Sequence, residues 1–224
     1  MTTRGPRLVL LGKQGAGKGT QATRLAEHYQ VLDIATGDMF RAAAREGTPS
    51  GQQAQAYMDK GELVPDDIVI GVVEEVLAGN DQIRRGFVLD GFPRTVMQAE
   101  ALERVLDLQP LDVVIDLDVP TEIVLHRIAG RRVCTQCQTS YHLDNPPKVN
   151  WDCDVCGGYV DQRDDDTEEA VMRRLELYEM QTLPLIHFYR RRGLLAHVDG
   201  TGDHDEVFDA LVATVDARLK RDSE

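Results

Sequence analysis

The stretch Leu8-Val9-Leu10-Leu11-Gly12-Lys13-Gln14-Gly15-Ala16-Gly17-Lys18-Gly19-Thr20 decides how the rest of the chain is read. An apolar run ends in a glycine-rich turn, and an amphipathic segment, Gln21 to Tyr29, follows. That order predicts a strand, a loop and a helix. Glycines let the backbone curl with its N–H groups turned inward on an anion, and the helix adds the positive end of its dipole. Lys18 supplies a mobile charge for the β- and γ-phosphates, so a nucleoside triphosphate is the expected occupant. The general form of this loop has Ser or Thr directly after the lysine, to hold Mg²⁺. Here Gly19 stands in that place, and Thr20 comes one position later.

Outward from the loop, apolar β-branched runs alternate with helical patterns. Strands are predicted over Arg7–Leu11, Val31–Ala35, Phe87–Asp90, Val113–Leu117 and Leu195–Val198. Helices are predicted over Lys18–Tyr29, Asp38–Arg45, Ser50–Lys60, Asp66–Ala78, Thr95–Leu106 and Pro120–Arg131. A long helix follows over Thr167–Arg191, ended or kinked by Pro184, and a last one over Asp203–Lys220, capped by Asp203 with Glu206 three residues on. Such alternation implies an α/β fold of three layers around a five-stranded parallel sheet, helices covering both faces. Two stretches break the rhythm. Residues 36–64 place two short helices where one crossover would suffice. Gly130–Arg163 has no sustained period and contains Pro146-Pro147 and Gly157-Gly158, as a lid or binding insert does. The acidic run Asp164-Asp165-Asp166 reads as a solvated helix start, with a polar hinge contact as the alternative.

At 224 residues the chain suits one domain with insertions. Its 42% hydrophobic and 28% charged content is that of a soluble globular protein. No apolar run approaches the ~20 residues of a membrane span. Met1 to Pro6 carries one positive charge but no apolar core of a secretory signal, so a cytoplasmic location is expected. A net charge of −13 argues against an extended nucleic-acid or anionic-membrane surface, although a local arginine cluster can invert the field.

The four cysteines form two pairs, Cys134-x-x-Cys137 and Cys153-x-x-Cys156, with 15 residues between them. Two such knuckles fit a four-sulfur zinc site, and a closed shell leaves no position for a reacting water, so that metal is structural. Two disulfides are the alternative, disfavoured without a secretion signal. The segment is small and polar, and metal binding would supply its folding energy, on the order of 10 kcal/mol. His142 lies nearby and, the shell being complete, reads as a surface residue.

Leu89-Asp90-Gly91-Phe92-Pro93-Arg94 ends a predicted strand, at the edge where open α/β sheets bind ligands. Asp90 can face Mg²⁺ or its waters, Gly91 allows close backbone approach, Pro93 stiffens the turn, and Arg94 can fork onto a phosphate. An isolated Asp-Gly after a strand is an ordinary turn; the phosphate loop beside this one favours a site. Arg41, Arg94, Arg127, Arg131, Arg163 and Arg174 sit at strand ends, helix starts or the borders of the two irregular stretches. Arg127 and Arg131, four apart, share a helix face directed at the lid. Arg190, Arg191 and Arg192 read as surface charge at a helix end.

Gly-x-Gly-Lys-Gly-Thr, Thr36-Gly37-Asp38-Met39, Asp90-Gly91-Phe92-Pro93-Arg94 and Gly130-Arg131-Arg132 stand in one order and spacing. From Arg7 to about Leu219 the chain thereby resembles the adenylate kinases, and its cysteines resemble the zinc-bearing lid of their long-form bacterial members. The resemblance implies that Gly15, Ala16, Gly17, Lys18, Gly19 and Thr20 hold the ATP phosphates. Arg131, Ser140, Tyr141 and the Gly202 backbone are further implied ATP contacts, with Arg127 facing the phosphates. It implies AMP binding by Thr36, Arg41, the backbone of Glu62, Leu63 and Val64, and Gly91, Phe92, Pro93, Arg94 and Gln98. The Gln98 amide can donate and accept, as reading adenine requires. Arg163 and Arg174 would bridge the reacting phosphates. The implied catalytic set is Lys18, Arg94, Arg127, Arg131, Arg163 and Arg174. The implied metals are a structural zinc on Cys134, Cys137, Cys153 and Cys156, and Mg²⁺ carried by ATP with Asp90 assisting through water. The implied division is a core of residues 1–35, 65–129 and 165–224, a monophosphate-binding insert at 36–64, and a lid at 130–164. Two positions depart from the family pattern: Gln14 stands where Pro is usual, and Glu62 where Lys is common.

The expected reaction is reversible transfer of the terminal phosphoryl group of MgATP to AMP, giving two ADP and balancing the adenine nucleotides. The nucleophile is a phosphate oxygen, already ionised near neutrality because a monoester's second pKa is ~6, so no general base is required. Expected partners are ATP, AMP and ADP, with no nucleic acid and no membrane, and the chain is expected to be a monomer. Another nucleoside monophosphate as acceptor is the alternative within this class. A phosphate-loop switch would need its own Mg²⁺-holding Ser or Thr and a guanine-reading motif. A zinc-ribbon nucleic-acid module would need a basic lid, and this one is rich in Asp.

Overall fold

The strand before the glycine-rich loop, β1 (Arg7–Leu11), is buried along its whole length because it runs down the middle of a sheet. The computed structural model describes residues 4–79, 81–106 and 109–221. In chain order follow α1 (Lys18–Tyr29), β2 (Leu32–Ala35), α2 (Thr36–Arg45), α3 (Pro49–Met58), α4 (Asp66–Gly79), β3 (Phe87–Asp90) and α5 (Val96–Val105). Then come β4 (Val113–Asp118), α6 (Thr121–Gly130), β5 (Arg131–Cys134), β6 (Ser140–His142), β7 (Val160–Asp161), α7 (Glu168–Leu177), α8 (Leu183–Arg191), β8 (Leu195–Asp199) and α9 (His204–Arg221). The main sheet has five strands in the order β2-β3-β1-β4-β8, all parallel. This is the expected α/β three-layer architecture.

Alternating side chains of the central strands divide the core in two. Val9, Leu11, Phe87, Leu89 and Val114 pack on one face with residues of α2 to α5 and α8. Leu8, Leu10, Val88, Val113, Ile115 and Leu117 pack on the other with residues of α1, α6, α7 and α9. Burial on both faces is what requires an unbroken apolar run rather than an alternating one. Pairing of Leu10 with Asp90 brings the carboxyl ends of β1 and β3 side by side.

The differences from the sequence expectation are local. Residues 81–85 form a 3₁₀ turn ahead of β3 that carries no periodic signal. Helix α2 starts at Thr36, directly from β2, with Asp38 in its first turn. The long helix expected over Thr167–Arg191 is interrupted by a π-helical turn, Tyr178–Thr182. Pro184 lies in the first turn of α8, and the N–H it lacks is the one that would have bonded back to residue 180. Asp203 and Glu206 form the expected reciprocal cap: Asp203 accepts from the Glu206 N–H (2.8 Å) and Glu206 accepts from the Asp203 N–H (3.2 Å). Gly130–Arg163, read as irregular, holds a second sheet, antiparallel β6-β5-β7. Strands of two to four residues are too short to show a period. Among the described residues no helix is long and apolar enough to cross a membrane.

Candidate active site

The loop between β1 and α1 is built for an anion. Gly15 has φ +79°, and a Cβ there would come within 2.6 Å of Ile128, so only glycine lets the loop seat against α6. Helix α1 starts at Gly17 with no side-chain cap and no acidic residue in its first turn, leaving its N–H groups and dipole to the loop. Lys18 folds back, donating to the carbonyls of Gly12 (2.8 Å) and Lys13 (2.9 Å). A Cβ on Gly19 would lie 3.4 Å from an Asp90 carboxylate oxygen, so the absent side chain leaves Asp90 close to the loop.

A cleft of about 860 Å³ opens at the carboxyl ends of β1, β2 and β3. Lys18, Arg41, Arg94, Arg127, Arg131, Arg163 and Arg174 all line it. Burial, reinforced by neighbouring cations, pushes Lys18 down to about 8 and Arg94 and Arg163 each down to about 10. Cations so crowded and desolvated favour a polyanion between them. Arg127 joins the two rims, donating to the Ala16 carbonyl (3.1 Å) and the Gly200 carbonyl (2.9 Å). Arg94 donates from Nε to the Gly91 carbonyl (2.9 Å). The Nε atoms of Arg41 and Arg163 are buried without a partner.

Carboxylates that sequence reasoning left aside hold these arginines. Asp165 and Asp166 are 3% and 6% exposed, which corrects the reading of the acidic run as a solvated helix start. Asp165 accepts from Arg174 (2.5 Å) and faces Arg41 at 3.7 Å. Burial pushes its carboxyl up, but Arg174, Arg41 and Arg163 pull harder and the group ends below the usual range. Arg131 grips Asp166 through Nε (2.7 Å) and Nη2, and Gln14 donates to the same carboxylate (3.0 Å). Asp38 faces Arg41 (2.5 Å) and Arg163 (3.6 Å). Asp38 lies three residues from Arg41 and Asp165 nine from Arg174, but Asp166 meets Arg131 across 35 positions.

The cleft also gathers Gly15, Ala16, Gly17, Gly19, Thr20, Ser140, Tyr141 and Gly202 on one side, and Thr36, Glu62, Leu63, Val64, Gly91, Pro93 and Gln98 on the other. Phe92 does not line it; its side chain lies in the core, 1% exposed. Gln98 is held at both ends of its amide, accepting from the Arg94 N–H (2.7 Å) and donating to Asp66 (2.6 Å). The Tyr141 hydroxyl is turned to the cysteine cluster, donating to Cys153 Sγ (3.3 Å) and accepting from the Asp154 N–H (2.7 Å). His142, read as a surface residue, lines the cleft along with His126 and Asp144.

The four cysteine sulfurs all lie within 4.8 Å of one another, and none is in a disulfide. Cys134 to Cys156 and Cys137 to Cys153 are each 3.5 Å. That is too long for an S–S bond of about 2.05 Å, and near the ~3.8 Å edge of a tetrahedron with Zn–S bonds of about 2.3 Å. The donor set and spacing therefore fit zinc. Beside it lies a small buried apolar cluster, Cys134, Cys153 and Val160, flanked by Tyr141 and Trp151.

A family model described as adenylate kinase matches residues 10–194. The adenylate kinase of Thermodesulfovibrio yellowstonii is 51% identical over 215 residues, covering 95% of this chain and 100% of that protein. The adenylate kinase of Bacillus subtilis (strain 168) is 53% identical over 204 residues, covering 90% of this chain and 94% of that protein. The adenylate kinase of Methanosarcina mazei is 51% identical over 211 residues, covering 93% and 97%.

Proposed function

The chain belongs to the adenylate kinase family, and from that membership we propose which residues carry its reaction. The reaction is reversible transfer of the terminal phosphoryl group of ATP to AMP, giving ADP. The observation that supports the assignment is the convergence of Lys18, Arg41, Arg94, Arg127, Arg131, Arg163 and Arg174 on one cleft. Between two nucleotides the barrier is charge repulsion and misorientation, and positioned cations lower both.

Gly15 to Thr20 and Lys18 hold the ATP phosphates, with Arg127 and Arg131 above them; Ser140, Tyr141 and Gly202 border the nucleoside. Because its hydroxyl serves the cysteine cluster, Tyr141 offers ATP its ring or backbone. Thr36, Arg41, the backbone of Glu62 to Val64, and Gly91 to Arg94 hold AMP, Phe92 anchoring that turn from the core. Gln98 reads adenine with the second N–H and the second lone pair of its amide, while Asp66 and the Arg94 N–H hold the amide in place. Arg94, Arg163 and Arg174 meet the phosphoryl group in transfer, Arg163 drawing away from Asp38 and Arg174 from Asp165 as phosphate oxygens replace carboxylates. Mg²⁺ bound to ATP would neutralise phosphate charge, and Asp90, beside Gly19, would hold its waters.

Water is the competing acceptor, so the insert at 36–64 and the lid at 130–164 close over a core of 1–35, 65–129 and 165–224. Zinc on Cys134, Cys137, Cys153 and Cys156 keeps the lid one body. The chain acts as a monomer in this reading. Free thiols suit the reducing cytoplasm, and a net charge of −13 disfavours nucleic acid or anionic membranes. ADP formation from ATP with AMP, GMP, CMP or UMP tests the reading. AMP is expected to be preferred, and equal use of another monophosphate would overturn the acceptor assignment.

A further inference from the structure

His126, on α6, and His142 and Asp144, at the end of β6, meet where the lid lies against the core. One ligand atom from each falls within 4.8 Å of the other two, and the two imidazole rings are 5.6 Å apart. His142 Nδ1 lies 3.1 Å from the Asp144 carboxylate and 3.1 Å from the Asp144 N–H. It can accept from the amide or donate to the carboxylate, but not both. When it accepts, an imidazole lone pair and a carboxylate face each other with no proton between them. The other ring nitrogen, Nε2, is buried without a partner, against Gly130.

We propose that these three residues form a second metal site, separate from the cysteine tetrad, which takes a first-row divalent transition ion and ties the lid to α6. Two imidazoles and one carboxylate suit zinc, nickel or copper, whereas Mg²⁺ prefers an all-oxygen shell, so the site discriminates against the ion that accompanies ATP. Ligand atoms around a tetrahedral zinc lie about 3.4 Å apart. The His142–Asp144 pair is already near that spacing, and His126, being exposed, closes the rest by rotating its side chain. Three protein ligands leave positions for water. Since α6 belongs to the core and β6 to the lid, a bound ion holds the lid down and slows the opening that releases product.

The test uses untagged, nucleotide-free protein with its tetrad filled by zinc, titrated with Ni²⁺ in a calorimeter while a metal-sensitive dye reports released zinc. The native chain is expected to bind one equivalent without losing zinc. His126→Ala and Asp144→Asn, both at exposed positions, are each expected to weaken binding about tenfold or more, since even groups outside a metal's immediate shell cost about 10–100-fold. No nickel binding, unchanged binding in both variants, or binding matched by zinc release would overturn the proposal. Nickel binding is read on nucleotide-free protein and ADP formation in a separate assay of the native chain, so a failure here is distinct from a failure of the kinase reading.

Discussion

The phosphate loop and the lid both present charged groups to one cleft, yet they are held in place by different means. The loop is backed by Leu8, Leu10, Ala16, Ala22 and Leu25, part of a large buried cluster. Each such leucine adds roughly 1.5–3 kcal/mol. The lid buries only Cys134, Cys153 and Val160 in a cluster of its own. Rigidity in the first comes from packing; in the second it would come from a metal held by the four cysteines. Coordination suits a part that moves as a body, because it does not depend on staying pressed against the core.

That contrast can be broken most severely by removing the metal. Stripping zinc with a strong chelator, or Cys153→Ser, is expected to cost the lid up to about 10 kcal/mol of folding energy. Trp151 fluorescence should report lid unfolding, with activity falling in step; activity lost while the lid stays folded would contradict a purely structural metal. The opposite behaviour is expected in the core. Arg94→Ala should lower kcat by about 10³-fold or more while the thermal midpoint moves little, read by an ADP assay and a melt side by side.

A smaller effect is tied to pH. Lys18, lowered to about 8 chiefly by burial, becomes neutral in the free protein as pH rises past that value. ATP phosphates favour the ammonium, so ATP binding should take up a proton near pH 8 and weaken by up to about tenfold per unit above it. The same group disfavours the folded state as pH falls from its ordinary 10.5 to 8, so from this source the free protein gains stability across that window as pH rises. Calorimetry in buffers of different ionisation heat measures the proton uptake. The smallest effect sharpens the boundary between the two regions. Gln14 ties the loop to Asp166, which also holds Arg131 at the lid's edge. Gln14→Ala should cost about 1 kcal/mol and alter KM for ATP more than kcat.

The loop, the five strands and the convergence of arginines follow from sequence because each rests on a local rule: glycine φ values, apolar runs, charge placement. The lid's small sheet does not, because its strands are too short for a period and depend on the cysteine cluster for their register. Asp165 and Asp166 look like helix-start residues from sequence; only the fold reveals that they lie between arginines 41, 131 and 174. Gln98 could be placed at the AMP side, but not its engagement with Asp66, a partner 32 residues away.

The π-helical turn at Tyr178–Thr182 has a consequence for how one stretch of chain is shared. Upstream, Val171 and Leu175 pack on one face of the main sheet; downstream, Leu185, Ile186, Phe188 and Tyr189 pack on the other. A single residue added to a helix rotates everything after it by about 100°. The widened turn acts as a phase shifter, letting one nearly continuous rod fasten both layers of the protein together. Thr182, within it, donates to the Arg94 carbonyl at 3.1 Å, so the fastening passes directly behind an arginine of the cleft.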